Sequence, residues 1–242
     1  MSPILIDGNS LTLETLARVA WEREPAELSA EAREKVLQGR DVIETALDRD
    51  AVIYGVTTGF GKLSEVRIPH EKLAQLQVNL LRSHACGVGD PLEEAEVRAA
   101  MLLRANSMAK GFSGVRPEII ECMLEMLNRG VHPVVPSRGS VGASGDLAPS
   151  AHMALVLIGE GEARFEGEHL PGREALKRAG IPPVLLQAKE GLSLLNGTQF
   201  MLAVGSLALA RAISLVDTAD VAGSLSLEVL LGTLAASDQR IQ

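Results

Sequence analysis

The most unusual run of the chain is Ser137-Arg138-Gly139-Ser140-Val141-Gly142-Ala143-Ser144-Gly145-Asp146, and several kinds of chemistry have to be weighed for it. Gly139, Gly142 and Gly145 at three-residue spacing suggest a phosphate cradle, but the Gly-Lys-Ser/Thr ending of a phosphate loop is absent. A dinucleotide fold also needs alternating strands and helices, which the chain does not show. A serine-hydrolase elbow needs G-x-S-x-G, and the position two after Ser144 is Asp146. What remains is the backbone itself. The Gly145 nitrogen has no side chain beside it and can approach the Ala143 carbonyl two residues back. Attack there closes a five-membered ring. Loss of one water from the ring, and of the Ser144 hydroxyl as a second, leaves an exocyclic methylidene conjugated to an imidazolone. No genetically encoded side chain supplies such an electrophile. A plain turn before a helix is the bland alternative.

Residues 139–149 (GSVGASGDLAP) resemble the signature of the aromatic amino-acid ammonia-lyases, which form this methylidene-imidazolone (MIO) group. Further matches follow in the expected order at residues 54–61 (YGVTTGFG), 79–85 (NLLRSHA) and 189–199 (KEGLSLLNGTQ), so the resemblance covers essentially the whole chain. It implies a ring built from Ala143, Ser144 and Gly145, with no external cofactor. Tyr54 becomes a candidate base, although a tyrosine ordinarily titrates near ~10 and would need that value lowered. Alone, a tyrosine there reads as a packed side chain with a satisfied hydroxyl. Ser83-His84 matches the pair in the histidine-specific branch, where a polar ring suits an imidazole substrate. Without that context His84 is an ordinary helix histidine. Asn196 resembles the amide that binds the substrate or the ring oxygen, its bland reading being a cap before Gly197.

The implied reaction is elimination of ammonia from L-histidine to give trans-urocanate. A tyrosine or phenylalanine lyase or aminomutase, or a non-catalytic truncated homologue, is the alternative. Family members are homotetramers and run well beyond 242 residues, which implies that further site residues lie outside this chain.

The elements that must position these residues read as mainly α. A short extended segment at Ile4-Leu5-Ile6 is followed by helices capped by Thr12 and Ser29. Residues 51–56 begin like a buried strand and pass into a glycine-rich loop. Helical character marks about 71–85, 93–110, 117–129 with Pro117 at its start and Gly130 at its end, and 148–158. A hairpin is expected at 164–170 and a short helix at 172–179. From about 190 onward the chain is apolar on several faces, as in long buried central helices. The expected architecture is a helical bundle with a smaller N-terminal region of helices, short strands and glycine-rich loops. Residues 1–190 would carry the electrophile segment and 191–242 would open the central bundle.

Composition narrows the partners. A net charge of −8 and only six aromatic residues argue against nucleic acid, which needs clustered cations and stacking rings. Cys86 and Cys122 show no CxxC spacing and read as reduced thiols. The histidines show no HxxxH or HExxH spacing, so no metal is expected. No basic start precedes an apolar run at the N-terminus. The most apolar stretch, 200–216, is interrupted by Arg211 and falls short of roughly 20 residues needed to span a bilayer. A cytoplasmic enzyme acting on a small amino acid is the expectation.

Overall fold

The computed structural model describes residues 3–49, 51–141 and 145–241. Ala143 and Ser144 lie outside the described residues. Two compact units divide between Val204 and Gly205.

In the first unit, β1 (Ile4–Ile6) pairs in parallel with β2 (Ala26–Leu28), a strand not expected from the sequence. Between them α1 (Leu13–Ala17) starts at Thr12, whose hydroxyl accepts from the Thr15 N–H at 3.2 Å, and runs into a π-helical turn, Arg18–Glu22. Helix α2 (Ala30–Asp48) is capped by Ser29 as expected, and it buries Ala32, Val36 and Ile43 at helical spacing. Helix α3 (His70–His84) leads into β3 (Val88–Pro91), and α4 (Glu94–Met108) opens on a capping box between Glu93 and Glu96. Pro117 and Gly130 bracket α5 (Pro117–Arg129), with Gly130 in the left-handed conformation. Strands β4 (His132–Pro133) and β5 (Pro136–Arg138) follow, then α6 (Leu147–Leu157). The expected hairpin is β6 (Glu162–Phe165) with β7 (Glu168–Pro171), and β4 pairs with β6. Helices α7 (Gly172–Arg178), α8 (Glu190–Leu195) and α9 (Gln199–Val229) complete the order.

Helices α4 and α5 pack together at the heart of this unit. Met101, Leu102, Met108, Ile119, Ile120, Met123, Met126 and Leu127 are fully buried there, so flexible methionines fill the volume that aromatics would otherwise take. Each such side chain contributes about 1.5–3 kcal/mol of transfer free energy.

Two expectations are corrected. Residues 51–56 form turns, not a buried strand: Val52 and Tyr54 are exposed. The Thr57 hydroxyl accepts from the Ile53 N–H at 2.8 Å and donates to the Ala51 carbonyl at 2.7 Å, which folds the backbone back on itself. In the second unit the helix leaves Leu209, Ile213, Leu215, Val216, Val221 and Leu225 exposed, so its apolar faces are uncovered within this chain. The apolar stretch is also longer than expected. Helix Gln199–Val229, at 31 residues, is long and apolar enough to cross a membrane by length and composition alone.

Beneath α4 lies a buried polar pair. Arg98, 1% exposed, donates to the Val19 and Leu127 carbonyls and, at 3.0 Å, to His132 Nε2. A guanidinium only donates, so Nε2 must be unprotonated, and Nδ1–H faces Glu94 Oε2 at 3.5 Å. Burial pushes the His132 pKa down from 6.5 to about 4; Glu94 opposes that shift, and Arg98 and Arg23 add to it. The unfolded chain therefore binds more protons than the folded one between those values. Stability is full above about pH 6.5 and falls as pH drops towards 4, by on the order of 3 kcal/mol. Urea midpoints at pH 7 and pH 4.5 check this: His132→Gln should lose most of the pH slope, and identical slopes for the two proteins would refute it.

Candidate active site

The glycine-rich segment is held from both ends. Strand β5 pairs antiparallel with β3, bringing Arg138 opposite Val88 and fixing the entry. At the exit Gly145 sits at φ +80° and bridges in parallel to Gly197. The Asp146 N–H donates to the Gly197 carbonyl at 2.8 Å. A Cβ on Gly145 would stand 2.2 Å from that carbonyl oxygen, so only glycine fits.

Asp146 is fully buried and spends both carboxylate oxygens. Oδ1 accepts from the Ser140 hydroxyl at 2.6 Å, and Oδ2 accepts from the Met201 N–H at 2.9 Å in the first turn of α9. Asp146 also precedes α6, so two helix N-termini meet at this residue, where an anion is favoured. In the sequence Asp146 is legible as part of the motif but not as the residue that joins these helix ends.

Asn196 ends α8 and is exposed, its Nδ2 donating to the Leu192 carbonyl at 3.4 Å. Its neighbour Gly197 is the partner of Gly145, so Asn196 and the glycine-rich segment are brought together. Tyr54, 59% exposed, packs edge-on against Phe60 with ring centroids 6.1 Å apart, and its hydroxyl accepts from the Gly61 N–H at 3.4 Å. The adjoining Gly55 lies directly over Leu192 of α8. His84 closes α3, which packs on α8 through Gln77, whose side-chain oxygen accepts from the Leu192 N–H at 3.0 Å. His84 Nδ1 lies 2.9 Å from the Leu80 carbonyl, and the Ser83 hydroxyl donates to the same carbonyl at 3.0 Å. Thus Tyr54, His84 and Asn196 sit on three elements gathered around α8. Among the described residues no hydrogen bond joins them directly.

A cleft of about 730 Å³ lies elsewhere: it is lined by Arg23, Glu94, Arg129, His132, Arg164 and His169 and contains none of these residues. Its Arg23 and Arg129 are already ion-paired to Glu94 and Glu125, which reads as a surface satisfying itself. Among the described residues no three His, Cys, Asp or Glu side chains cluster as a metal site requires.

Residues 11–242 match the family model for aromatic amino acid lyase. The chain belongs to the aromatic amino acid lyase family. It is 58% identical to a histidine ammonia-lyase of Koribacter versatilis (strain Ellin345), over all of this chain and 47% of that protein. A histidine ammonia-lyase of Myxococcus xanthus (strain DK1622) is 56% identical over 95% of this chain and 45% of its own length. The solved histidine ammonia-lyase from Trypanosoma cruzi superposes with a TM-score of 0.89 at 37% identity, covering 97% of this chain and 45% of that one. Tyrosine aminomutase from Streptomyces globisporus gives 0.87 at 40% identity, covering 94% and 43%. The chain spans about half the length of the curated relatives it matches, and its mainly α architecture is that of this lyase family.

Two buried charges that hold α8 were missed in the sequence. Arg104, beneath the end of α8, and Glu190, its first residue, are 2% and 0% exposed. The available signal was an arginine on the apolar side of the 93–110 helix, which a bland reading assigns to solvent.

Proposed function

We propose that the protein carrying this segment is a histidine ammonia-lyase that eliminates ammonia from L-histidine to give trans-urocanate. The supporting observation is the Gly145 backbone, held at φ +80° beside Gly197 and Asn196, in a chain 51–58% identical to proteins named histidine ammonia-lyase. That backbone fits a ring closed by the Gly145 nitrogen on the Ala143 carbonyl with loss of two waters, one of them from Ser144. The ring would supply an electrophile that turns the substrate amine into a better leaving group.

The chain's own residues would do the rest. Tyr54, on an exposed turn, is the candidate to take the β-proton. A carbonyl only accepts, so the His84 Nδ1 that faces Leu80 carries a proton, which leaves Nε2 free to accept whenever the ring holds a single proton. Such an acceptor suits the N–H of a substrate imidazole and has nothing to bind on a phenyl ring. Ser83 steadies that helix end, and Asn196 supplies an amide beside the electrophile. No external cofactor, metal, nucleic acid or membrane enters this reading. The exposed apolar face from Leu209 to Leu225 suits burial against further chain and copies of it, which supports a homotetramer; the proposed location is the cytoplasm. We also propose that residues 1–190 form the region carrying the electrophile and that 191–242 open the central bundle.

A tyrosine or phenylalanine aminomutase is the second reading, favoured by the tyrosine aminomutase likeness at 40% identity. The deciding experiment is the mass of tryptic peptide 139–164, followed by turnover of histidine against tyrosine. A peptide two waters light with turnover of histidine is expected. Turnover of tyrosine alone would transfer the protein to the second reading, and an unmodified peptide would remove the electrophile.

A further inference from the structure

Arg104 stands on α4, 2% exposed, directly under the turn that faces Gly145. Its Nη1 donates to the Asn196 carbonyl at 2.6 Å and more weakly to the Ser193 carbonyl at 3.4 Å. Its Nη2 donates to the Ser150 hydroxyl at 3.3 Å and the Leu195 carbonyl at 3.4 Å. Three of the four acceptors are the orphan carbonyls at the end of α8, the negative pole of that helix. The fourth belongs to the first turn of α6. One planar cation thus ties together the two helices whose ends define the glycine-rich segment.

A buried cation costs several kcal/mol unless it is compensated, and an apolar residue of similar volume would usually be at least as stable in a core. Burial lowers the Arg104 pKa to about 10, with the charge of Asp146 acting in the opposite direction. Its placement is also tight: a Cβ on Gly197, itself at φ +150°, would lie 3.0 Å from Nη1. Gly197 is the residue whose carbonyl receives the Asp146 N–H, so a shift of the guanidinium moves the turn that Gly145 leans on.

We propose that Arg104 is a positioning residue for the electrophile: it locks the Asn196–Gly197 turn, and through it the Gly145–Asp146 backbone, in the geometry for ring closure and for presenting the Asn196 amide. This rests on the reading that Ala143, Ser144 and Gly145 cyclise. Lysine cannot replace it, because a single ammonium cannot reach four acceptors spread across two helix ends.

Arg98 supplies a matched control. It is a buried arginine on the same helix that likewise ties backbone carbonyls, those of Val19 and Leu127, which lie outside the glycine-rich segment and the turn that faces it. In the full-length protein, Arg104→Met, Arg104→Lys and Arg98→Met are compared by thermal midpoint, by the fraction of peptide 139–164 lacking two waters, and by kcat and KM per ring-bearing subunit. The thermal midpoints show whether each variant is folded. Only the Arg104 variants should lower the ring fraction, and they should lower kcat ~10–100-fold with a smaller change in KM, as sub-ångström misplacement does. If Arg104→Met does not fold, Arg104→Lys decides, with slowed ring formation in folded protein expected. Wild-type ring fraction and kcat in a folded Arg104 variant would overturn the proposal. An unmodified peptide in the parent protein would instead overturn the cyclisation itself, and this inference with it.

Discussion

Gly145→Ala should abolish the two-water mass deficit of the 139–164 peptide, once the added methyl is allowed for, and reduce ammonia-lyase turnover by at least ~10³-fold. Two independent effects act at this position. At φ +80° an L-residue pays about 1–2 kcal/mol against its own carbonyl. The larger effect is contact: the new Cβ would meet the Gly197 oxygen at 2.2 Å and its carbonyl carbon at 2.9 Å. Both are backbone atoms, so no rotamer change relieves the overlap. The 145–146 backbone must then leave Gly197, and the nitrogen that would attack Ala143 moves with it. Gly167, at φ +83° with nothing within 4 Å of where a methyl would stand, isolates the backbone cost. Gly167→Ala should cost about 1–2 kcal/mol and leave the peptide mass deficit and turnover as they were. A Gly145→Ala protein that keeps the deficit and turns over within ~10-fold of the parent would show that the Gly197 contact does not govern the chemistry.

The parts legible in the sequence are those written in local code. Thr12 and Ser29 are caps because an exposed hydroxyl three residues before a free N–H is all that a cap needs. Pro117 and Gly130 bracket α5 for equally local reasons, and Ile119, Ile120, Met123, Leu124 and Leu127 are buried at the spacing that nominated them. The motif segments were legible by resemblance, and the structure gathers them around α8. Residues 51–56 misled because apolar β-branched side chains favour a strand only while the backbone remains free to extend. Thr57 withdraws that freedom through bonds to residues four and six positions back. Burial of 205–229 was inferred from composition, which reports that a surface wants cover and not that the cover lies within the same chain. Arg98 and Arg104 stayed invisible because their partners lie 29 to 92 positions away along the chain, and Glu190 because its charge partner, Arg116, lies 74 positions away. No periodicity encodes such a partner.

Glu190→Ala should cost about 3–5 kcal/mol of stability. The carboxylate is fully buried at the start of α8 and its bonding is complete. Oε1 accepts from the Arg116 N–H at 3.1 Å and from Arg116 Nε at 2.8 Å. Oε2 accepts from Arg116 Nη2 at 2.9 Å and from the Gln187 N–H at 2.7 Å. Arg40, 5% exposed, lies 3.9 Å from Oε1 and holds the Gly114 and Ala188 carbonyls. Truncation therefore removes the carboxylate that holds the Arg116 guanidinium, takes a countercharge from buried Arg40, and leaves two backbone N–H donors without acceptors. Glu44 still faces Arg40 and moderates that half of the loss; Arg116 keeps only its Nη2 bond to the Leu185 carbonyl at 2.6 Å and the more distant charges of Glu118 and Glu44. Glu190→Gln keeps the volume and one acceptor but turns an N–H towards a donor, so it should fall between alanine and the parent. Urea unfolding followed by circular dichroism measures the series, and a loss below about 1 kcal/mol for alanine would mean that the ion pair roughly breaks even against its desolvation. Because α8 runs from Glu190 to the turn at Asn196 and Gly197, the same substitution should also lower the fraction of ring-bearing peptide. That links the stability of one buried carboxylate to the chemistry at the other end of a six-residue helix.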